Sequence, residues 1–153
     1  MGASTEARAQ LRIRRPAEAV FEAFVDPAIM TRFWFPRSSG RLEAGETRTW
    51  YVFPDRDDPA IEVRVLALEP SRRIHIEWGG DGEFTTVEWR LVTESPDSTF
   101  VYVSESNYAG TREEILAKAL ESTGGFNLVL AAAKAWLEHE VALEIVRDHF
   151  PAG

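Results

Sequence analysis

Residues 73–92 read RIHIEWGGDGEFTTVEWRLV, two alternating runs around a glycine-rich centre. In each run every second residue is apolar, the pattern typical of a β-strand with one buried face. The centre, residues 79–82, favours a hairpin turn over a phosphate-binding loop, because neither a Lys-Ser/Thr pair nor a helix follows it. We therefore predict a β-hairpin whose inner face carries Ile74, Ile76, Trp78, Val87, Trp89 and Leu91.

Strand-like runs continue on both sides of this hairpin, over residues 9–13, 47–53, 61–68 and 99–106. From residue 47 onward, short segments rich in Pro, Gly, Asp and Ser separate these runs. Connections of this length join neighbouring antiparallel strands, whereas parallel strands need long crossovers. The sequence thus predicts an antiparallel meander of about six to seven strands.

Helical signals flank the strands. After the first strand, proline and N-cap signals open two short helices. Residues 126–149 predict one long C-terminal helix of about six turns. A shorter helical segment over residues 111–120 precedes it, and Gly124 and Gly125 separate the two. The whole stretch from Asn107 to Thr123 is either a hinged lid or a fixed connection. The stripe of the long helix that should face the sheet comprises Phe126, Leu130, Ala133, Leu137 and Val141.

The composition is that of an ordinary single-domain protein. The chain has 153 residues, 44% hydrophobic and 27% charged, so we expect one domain over residues 1–153 with its core between residues 8 and 148. The absence of cysteine excludes disulfides and thiolate metal sites. The net charge of −8 disfavours nucleic acid and anionic membranes as partners. Because the sequence has neither a signal-peptide core nor a membrane-spanning run, we expect a soluble, cytoplasmic protein without membrane insertion.

Three indoles raise the question of a cavity. Trp78 and Trp89 share the inner face of the predicted hairpin, whereas alternation does not decide which face of residues 47–53, with Trp50, points inward. A sheet covered by one long helix often leaves a gap, and bulky aromatic residues around a gap form a ligand pocket. The same indoles can instead fill the core, and periodicity leaves both alternatives open.

Several short motifs follow one another along the chain. They are RPAEAVFEAF at 15–24, DP at 26–27, EP at 69–70, IHIEW at 74–78, TTVEW at 85–89, SES at 104–106 and GGF at 124–126. Their order and spacing resemble the START/Bet v 1-like (SRPBCC) superfamily, and within it the family named after the activator of Hsp90 ATPase. The resemblance spans residues 8–148, nearly the whole chain.

This resemblance implies an α+β helix-grip fold, in which a curved antiparallel sheet wraps around the long C-terminal helix and two short helices follow strand one. It also implies a deep cavity between sheet and helix that binds lipid-, polyketide- or flavonoid-like molecules, with Arg48, Trp50 and Val52 facing inward. The expected ligand-binding residues are Arg48, Trp50, Val52, Trp78, Trp89, Glu105, Phe126, Leu130 and Leu137.

Glu105 is the one carboxylate in this set. We expect it to face inward, because strand alternation places it on the same face as Val101 and Val103. Inside an apolar cavity it would be a weak candidate for acid–base catalysis, an anchor for a polar ligand end, or the partner of a buried arginine such as Arg48. The three histidines form no metal-binding or catalytic pattern. We therefore predict no metal, no cofactor and no catalytic residue beyond this candidate.

Three functions remain open from the sequence. The chain can bind a small hydrophobic or aromatic molecule without turnover, or act as a polyketide cyclase or hydrolase with Glu105 as acid/base. A cochaperone-like interaction module, related to stress response and Hsp90 activation, is the third. Because no catalytic constellation accompanies Glu105, we expect the first, with a small hydrophobic molecule as partner; a homodimer is left open.

Overall fold

The computed structural model describes residues 5–151, which form one seven-stranded antiparallel sheet and four helices. The strands are β1 (Ala7–Ile13), β2 (Arg37–Ser38), β3 (Thr47–Tyr51), β4 (Ala60–Glu69), β5 (Arg73–Gly80), β6 (Glu83–Ser95) and β7 (Ser98–Ser106). The helices are α1 (Ala17–Val25), α2 (Pro27–Met30), α3 (Arg112–His139) and α4 (Ile145–Asp148). The strand order is β1-β7-β6-β5-β4-β3-β2. The expected α+β helix-grip fold, with short helices after the first strand and a long C-terminal helix, is confirmed.

The hairpin predicted from residues 73–92 is the β5–β6 hairpin. Its inner residues pair across the strands as Ile74 with Trp89, Ile76 with Val87 and Trp78 with Thr85. Each predicted inner residue is buried except Trp78, which is half-buried near the turn of the hairpin. A side chain on Gly79 would collide with the carbonyl oxygen of Glu83, so the close approach of the two strands requires glycine there.

Helix α3 is one continuous helix of 28 residues where the sequence predicts two segments. It begins after the N-cap Thr111, whose hydroxyl accepts a hydrogen bond from the Glu114 amide at 3.2 Å. The prediction of a break at Gly124 and Gly125 was wrong. Ala119 before the pair and Phe126 after it are both buried on the packed side of the helix, and this packing outweighs the low helix propensity of glycine.

The same helix ends at His139 rather than at residue 149. Glu140 adopts a left-handed conformation with φ of 53°, and its amide donates to the Trp136 carbonyl at 2.8 Å, which closes the last turn. Val141, predicted on the apolar stripe, therefore lies outside the helix and is 44% exposed. Its placement against the sheet was also wrong.

Two further boundaries differ from the prediction. Strand β3 ends at Tyr51, so Val52 lies beyond the strand and is exposed. Helix α2 is a single turn, and the residues that follow it turn Trp34 and Phe35 against the hydrophobic core. The loop after α2 thus adds two large aromatic side chains to the space between sheet and helix.

A polar clamp fixes the C-terminal half of α3 to the end of β1. Lys134 donates from Nζ to the Arg12 carbonyl at 2.8 Å and to Glu138 Oε2 at 2.5 Å. The Arg14 amide donates to the same carboxylate oxygen at 2.7 Å. Burial opposes ionisation of Glu138, but these donors outweigh it and hold the pKa of the Glu138 carboxyl below its usual value.

Candidate ligand-binding site

Trp34 lies at the centre of the space between the sheet and α3. Its ring centroid is 5.1 to 6.2 Å from the centroids of six other aromatic rings, distances at which tilted and edge-to-face pairs are favourable. Side chains therefore fill the deep part of the expected cavity. The aromatic cluster consists of Trp34 with Phe24, Phe35, Trp50, Trp78, Trp89 and Phe126.

Space remains at one end of the sheet, where a pocket of about 380 Å³ opens between the β5–β6 hairpin and the first half of α3. Its walls combine apolar and aromatic surface with a few polar groups, the usual character of small-molecule sites. The residues that line it are Ala60, Ile61, Trp78, Gly79, Gly80, Glu83, Phe84, Thr85, Glu105, Tyr108, Ala109, Lys118, Glu121 and Ser122.

Glu105 lies on the inner face of β7 and is only 5% exposed. Its Oε2 atom accepts a hydrogen bond from Trp78 Nε1 at 2.9 Å and a second from the Thr85 hydroxyl. Its Oε1 atom is buried and has no hydrogen-bond partner among residues 5–151. A carboxylate oxygen left in this way is a ready acceptor for a ligand donor.

Tyr108, in the loop between β7 and α3, brings a second polar group to the same place. Its hydroxyl lies near Glu105 and Ser122 but is buried without a well-formed hydrogen bond to any described residue. Burial raises the pKa of Tyr108, hydrogen bonding with Ser122 opposes the effect, and Glu105 adds to it both through its charge and as a nearby hydrogen-bond acceptor. The phenol therefore stays protonated at neutral pH and can donate a hydrogen bond.

The predicted site residues separate into three groups. Trp78 and Glu105 line the pocket. Val52 and Arg48 lie away from it, Val52 exposed to solvent and Arg48 bonded through Nε to the Arg41 carbonyl at 2.8 Å. The remaining five belong to the core behind the pocket: Trp50, Trp89, Phe126, Leu130 and Leu137.

The suggested pairing of Glu105 with Arg48 is not formed. Arg48 instead faces two surface carboxylates, with its guanidinium 3.6 Å from Glu43 and 4.0 Å from Glu46. Two hydrogen bonds from uncharged donors, Trp78 and Thr85, take the place of an arginine at Glu105. Within residues 5–151 no ion pair to Glu105 is present, so its neighbours are neutral dipoles.

Sequence reasoning missed six polar residues of the pocket: Glu83, Thr85, Tyr108, Lys118, Glu121 and Ser122. Thr85 could have been found, because it shares the alternation of Val87 and Trp89 on β6. Tyr108 follows the end of the last strand and has no periodicity to place it. Lys118 and Ser122 were not predicted for another reason. Because a break was predicted at the glycines, the sequence analysis did not decide which side of the first half of α3 faces the sheet.

Over the part of the chain that the structure describes, no group of three or more His, Asp or Glu side chains is arranged to hold a metal ion. Within the same residues, none of the helices has the length and apolar character needed to cross a membrane.

Comparison with known families gives one match. The sequence profile named Activator of Hsp90 ATPase homolog 1-like protein matches residues 14–138, most of the chain. No curated protein matches the sequence.

Solved structures share the fold over most of the chain. Protein SSP2350 from Staphylococcus saprophyticus has a TM-score of 0.75 and 26% identity, covering 91% of this chain and 96% of that one. The Aha1 dimer from Colwellia psychrerythraea has a TM-score of 0.73 and 19% identity, covering 88% and 97%. DynU16, a protein in the dynemicin biosynthetic locus, has a TM-score of 0.74 and 20% identity, covering 90% of this chain but 49% of DynU16.

Proposed function

The chain belongs to the family of Activator of Hsp90 ATPase homolog 1-like proteins, and on this premise we propose that it binds a small hydrophobic or aromatic molecule without converting it. The observation that carries the proposal is the pocket of about 380 Å³ between the β5–β6 hairpin and α3. A pocket of this size accommodates a small organic ligand, and aromatic walls favour a flat one. Trp78 and Phe84 supply such walls.

The ligand would occupy this open pocket rather than the deep space between sheet and helix, because Trp34 and its neighbours fill the latter. Of the nine residues expected from the resemblance, we assign ligand contact to Trp78 and Glu105. Residues such as Trp50 and Leu130, each 1% exposed, would act as the rigid wall behind them.

Binding fits the pocket better than catalysis. Acid–base chemistry needs titratable groups poised to take up and release a proton near neutral pH. The raised pKa of Tyr108 keeps its hydroxyl protonated, and no histidine is among the residues that line the pocket. Glu105 would then serve as a hydrogen-bond acceptor for the ligand.

A cochaperone-like role is the second candidate. The family name refers to activation of Hsp90, and the first half of α3 exposes Leu116 and Leu120, which are 53% and 67% accessible. Exposed leucines one helical turn apart are surfaces that a protein partner can cover. Binding of purified Hsp90 that is lost in Leu116→Glu and Leu120→Glu would favour this candidate over the small-molecule role.

The experiment that tests ligand binding uses naphthalene as probe and two variants of the same helix. In Ser122→Trp an indole enters the pocket, so we expect saturable naphthalene binding, followed by NMR at the Trp78 indole N–H, to weaken at least tenfold. Leu120→Trp places the same indole on the exposed side of α3 and should leave binding unchanged. Absence of saturable binding to the wild-type chain, or equal binding by both variants, would overturn the proposal.

A further inference from the structure

The inner end of the pocket holds two polar atoms that nothing in residues 5–151 satisfies, Glu105 Oε1 and the Tyr108 hydroxyl. Leaving a buried polar atom without a hydrogen bond costs free energy, and in folded proteins such atoms are uncommon. Two of them side by side, facing a pocket that can admit a ligand, indicate where a polar ligand group would bind.

The carboxylate is held ready by its neighbours. Trp78 and Thr85 are directly opposite one another on β5 and β6, and both donate to Oε2. These two bonds fix the orientation of the carboxyl group from the rigid part of the sheet and leave Oε1 as the free acceptor. A preoriented acceptor binds a donor without the entropic cost of ordering its own side chain.

Charge around the pocket selects against anionic ligands. Glu83, Glu105 and Glu121 contribute three carboxylates to the lining, whereas Lys118 contributes one ammonium group. The Lys118 ammonium is also engaged, since it donates to the Ala109 carbonyl at 2.8 Å. A ligand carboxylate or phosphate would meet net negative charge in a partly desolvated site.

We propose that the pocket is specific for a neutral aromatic molecule with a hydroxyl group, whose O–H donates to Glu105 Oε1 and whose oxygen accepts the hydrogen bond of Tyr108. This inference rests on the proposed function and adds the chemical class of the ligand. A hydroxyl both donates and accepts, so it satisfies both orphan atoms at once. An ether would leave Glu105 without a donor from the ligand, and an ammonium group would offer the Tyr108 O–H no acceptor of its own.

The test compares four probes that share the naphthalene ring and differ only in the group at position 2. They are naphthalene, 2-methoxynaphthalene, 2-naphthol and 2-naphthylmethylamine, each titrated into the full chain. We expect 2-naphthol to bind about tenfold more tightly than the other three, since a hydrogen bond to a charged acceptor has about that effect on affinity. The advantage should fall below about threefold in Glu105→Gln and in Tyr108→Phe. Tyr102→Phe, on the outer face of β7, is the matched control and should keep the full advantage.

The outcomes separate the two proposals. Equal affinity for naphthalene and 2-naphthol would overturn the hydroxyl assignment while leaving the ligand-binding function intact. Tightest binding by the amine or by the ether would overturn it as well. Failure of all four probes to bind would overturn both proposals. The probe comparison on the wild-type chain decides the matter even if a variant fails to fold.

Discussion

At the scale of single residues, Glu138 shows how one carboxylate joins two elements. It receives the Arg14 amide from the end of β1 and the Lys134 ammonium from its own helix, and its side chain is only 10% exposed. Lys134 in turn reaches the Arg12 carbonyl. Because these contacts are partly shielded from water, they should contribute more than an exposed ion pair.

Replacing this carboxylate should weaken the fold. We expect Glu138→Gln to lower the free energy of unfolding at pH 7 by about 1.5–3 kcal/mol, the range for hydrogen bonds to charged groups. A carboxyl pKa held down in the folded state stabilises above the unfolded-state pKa and loses that effect as pH falls through the folded-state value. The difference between the two chains in urea unfolding should therefore shrink from pH 7 to pH 3.

Glu140→Gln provides the control, because Glu140 is exposed and lies just past the helix end. It should match the wild-type chain at both pH values. Equal stability of Glu138→Gln and wild type at pH 7 would mean that the clamp contributes nothing.

At the scale of single residues, the sequence predicted the position of some side chains correctly and failed to predict others. Glu105 was found because strand alternation is strict, and a side chain two residues from Val103 must share its face. Arg48 also follows the alternation of its strand, but the direction of its long side chain depends on the loop carbonyl of Arg41 that it reaches. Tyr108 is in a loop, where no repeating pattern assigns a side chain to the interior.

At the scale of elements, α3 is the main departure from the sequence prediction. The glycine pair at 124–125 indicates a break by local propensity, and local propensity is the only information in the sequence at that point. In the structure the helix continues through it, because buried residues on both sides stabilise one helix. Strand boundaries were closer, since alternation and turn residues define both ends of a strand.

The continuity of this helix gives a prediction for Gly124. A β-carbon built on Gly124 has no atom within 4 Å, and its φ lies in the ordinary range. Gly124→Ala should therefore raise the free energy of unfolding by about 1 kcal/mol, the difference in helix propensity, as measured by chemical denaturation. Naphthalene affinity should stay the same, because a rigid α3 already forms the pocket wall.

The contrasting variant is Gly110→Ala, just before the helix. There φ is +122° and an added β-carbon would lie 2.8 Å from Glu114 Oε2, so this substitution should destabilise. A Gly124→Ala chain that is less stable than wild type, or that loses ligand binding, would show that the glycine pair acts as a hinge.

At the scale of the whole molecule, the sheet and α3 enclose aromatic side chains where the resemblance implied a deep cavity. The deciding residue is Trp34, which comes from the loop after α2. Periodicity identifies the walls of such a space, namely Trp50, Trp78 and Trp89. Whether a loop residue enters that space depends on the three-dimensional path of the loop, which a single sequence does not specify.

Removing the central indole should reopen the space. We expect Trp34→Ala to lower the free energy of unfolding by up to about 3–5 kcal/mol, because a large, half-buried ring that contacts six other rings is lost and its neighbours relax only in part. An apolar cavity of this kind takes up benzene. Benzene should therefore raise the Tm of the variant more than that of the wild-type chain.

Trp34→Leu is the milder form of the change, and Trp136→Ala is the matched control outside the aromatic cluster. Trp136 packs at the edge of the core with the Arg32 guanidinium 5.4 Å from its ring. Equal shifts in Tm with benzene for wild type and both Trp34 variants would mean that the core collapses around the lost ring.

The aromatic cluster also has an optical consequence. Four of the five tryptophans lie together, because the ring centroid of Trp34 is 5.1, 5.8 and 6.1 Å from those of Trp50, Trp78 and Trp89. Indoles this close share their electronic excitation, so they should give a pair of exciton bands of opposite sign in circular dichroism rather than four independent signals. Since Trp78 also borders the pocket, a bound molecule would alter the spectrum of the whole group, while the separate Trp136 would not respond.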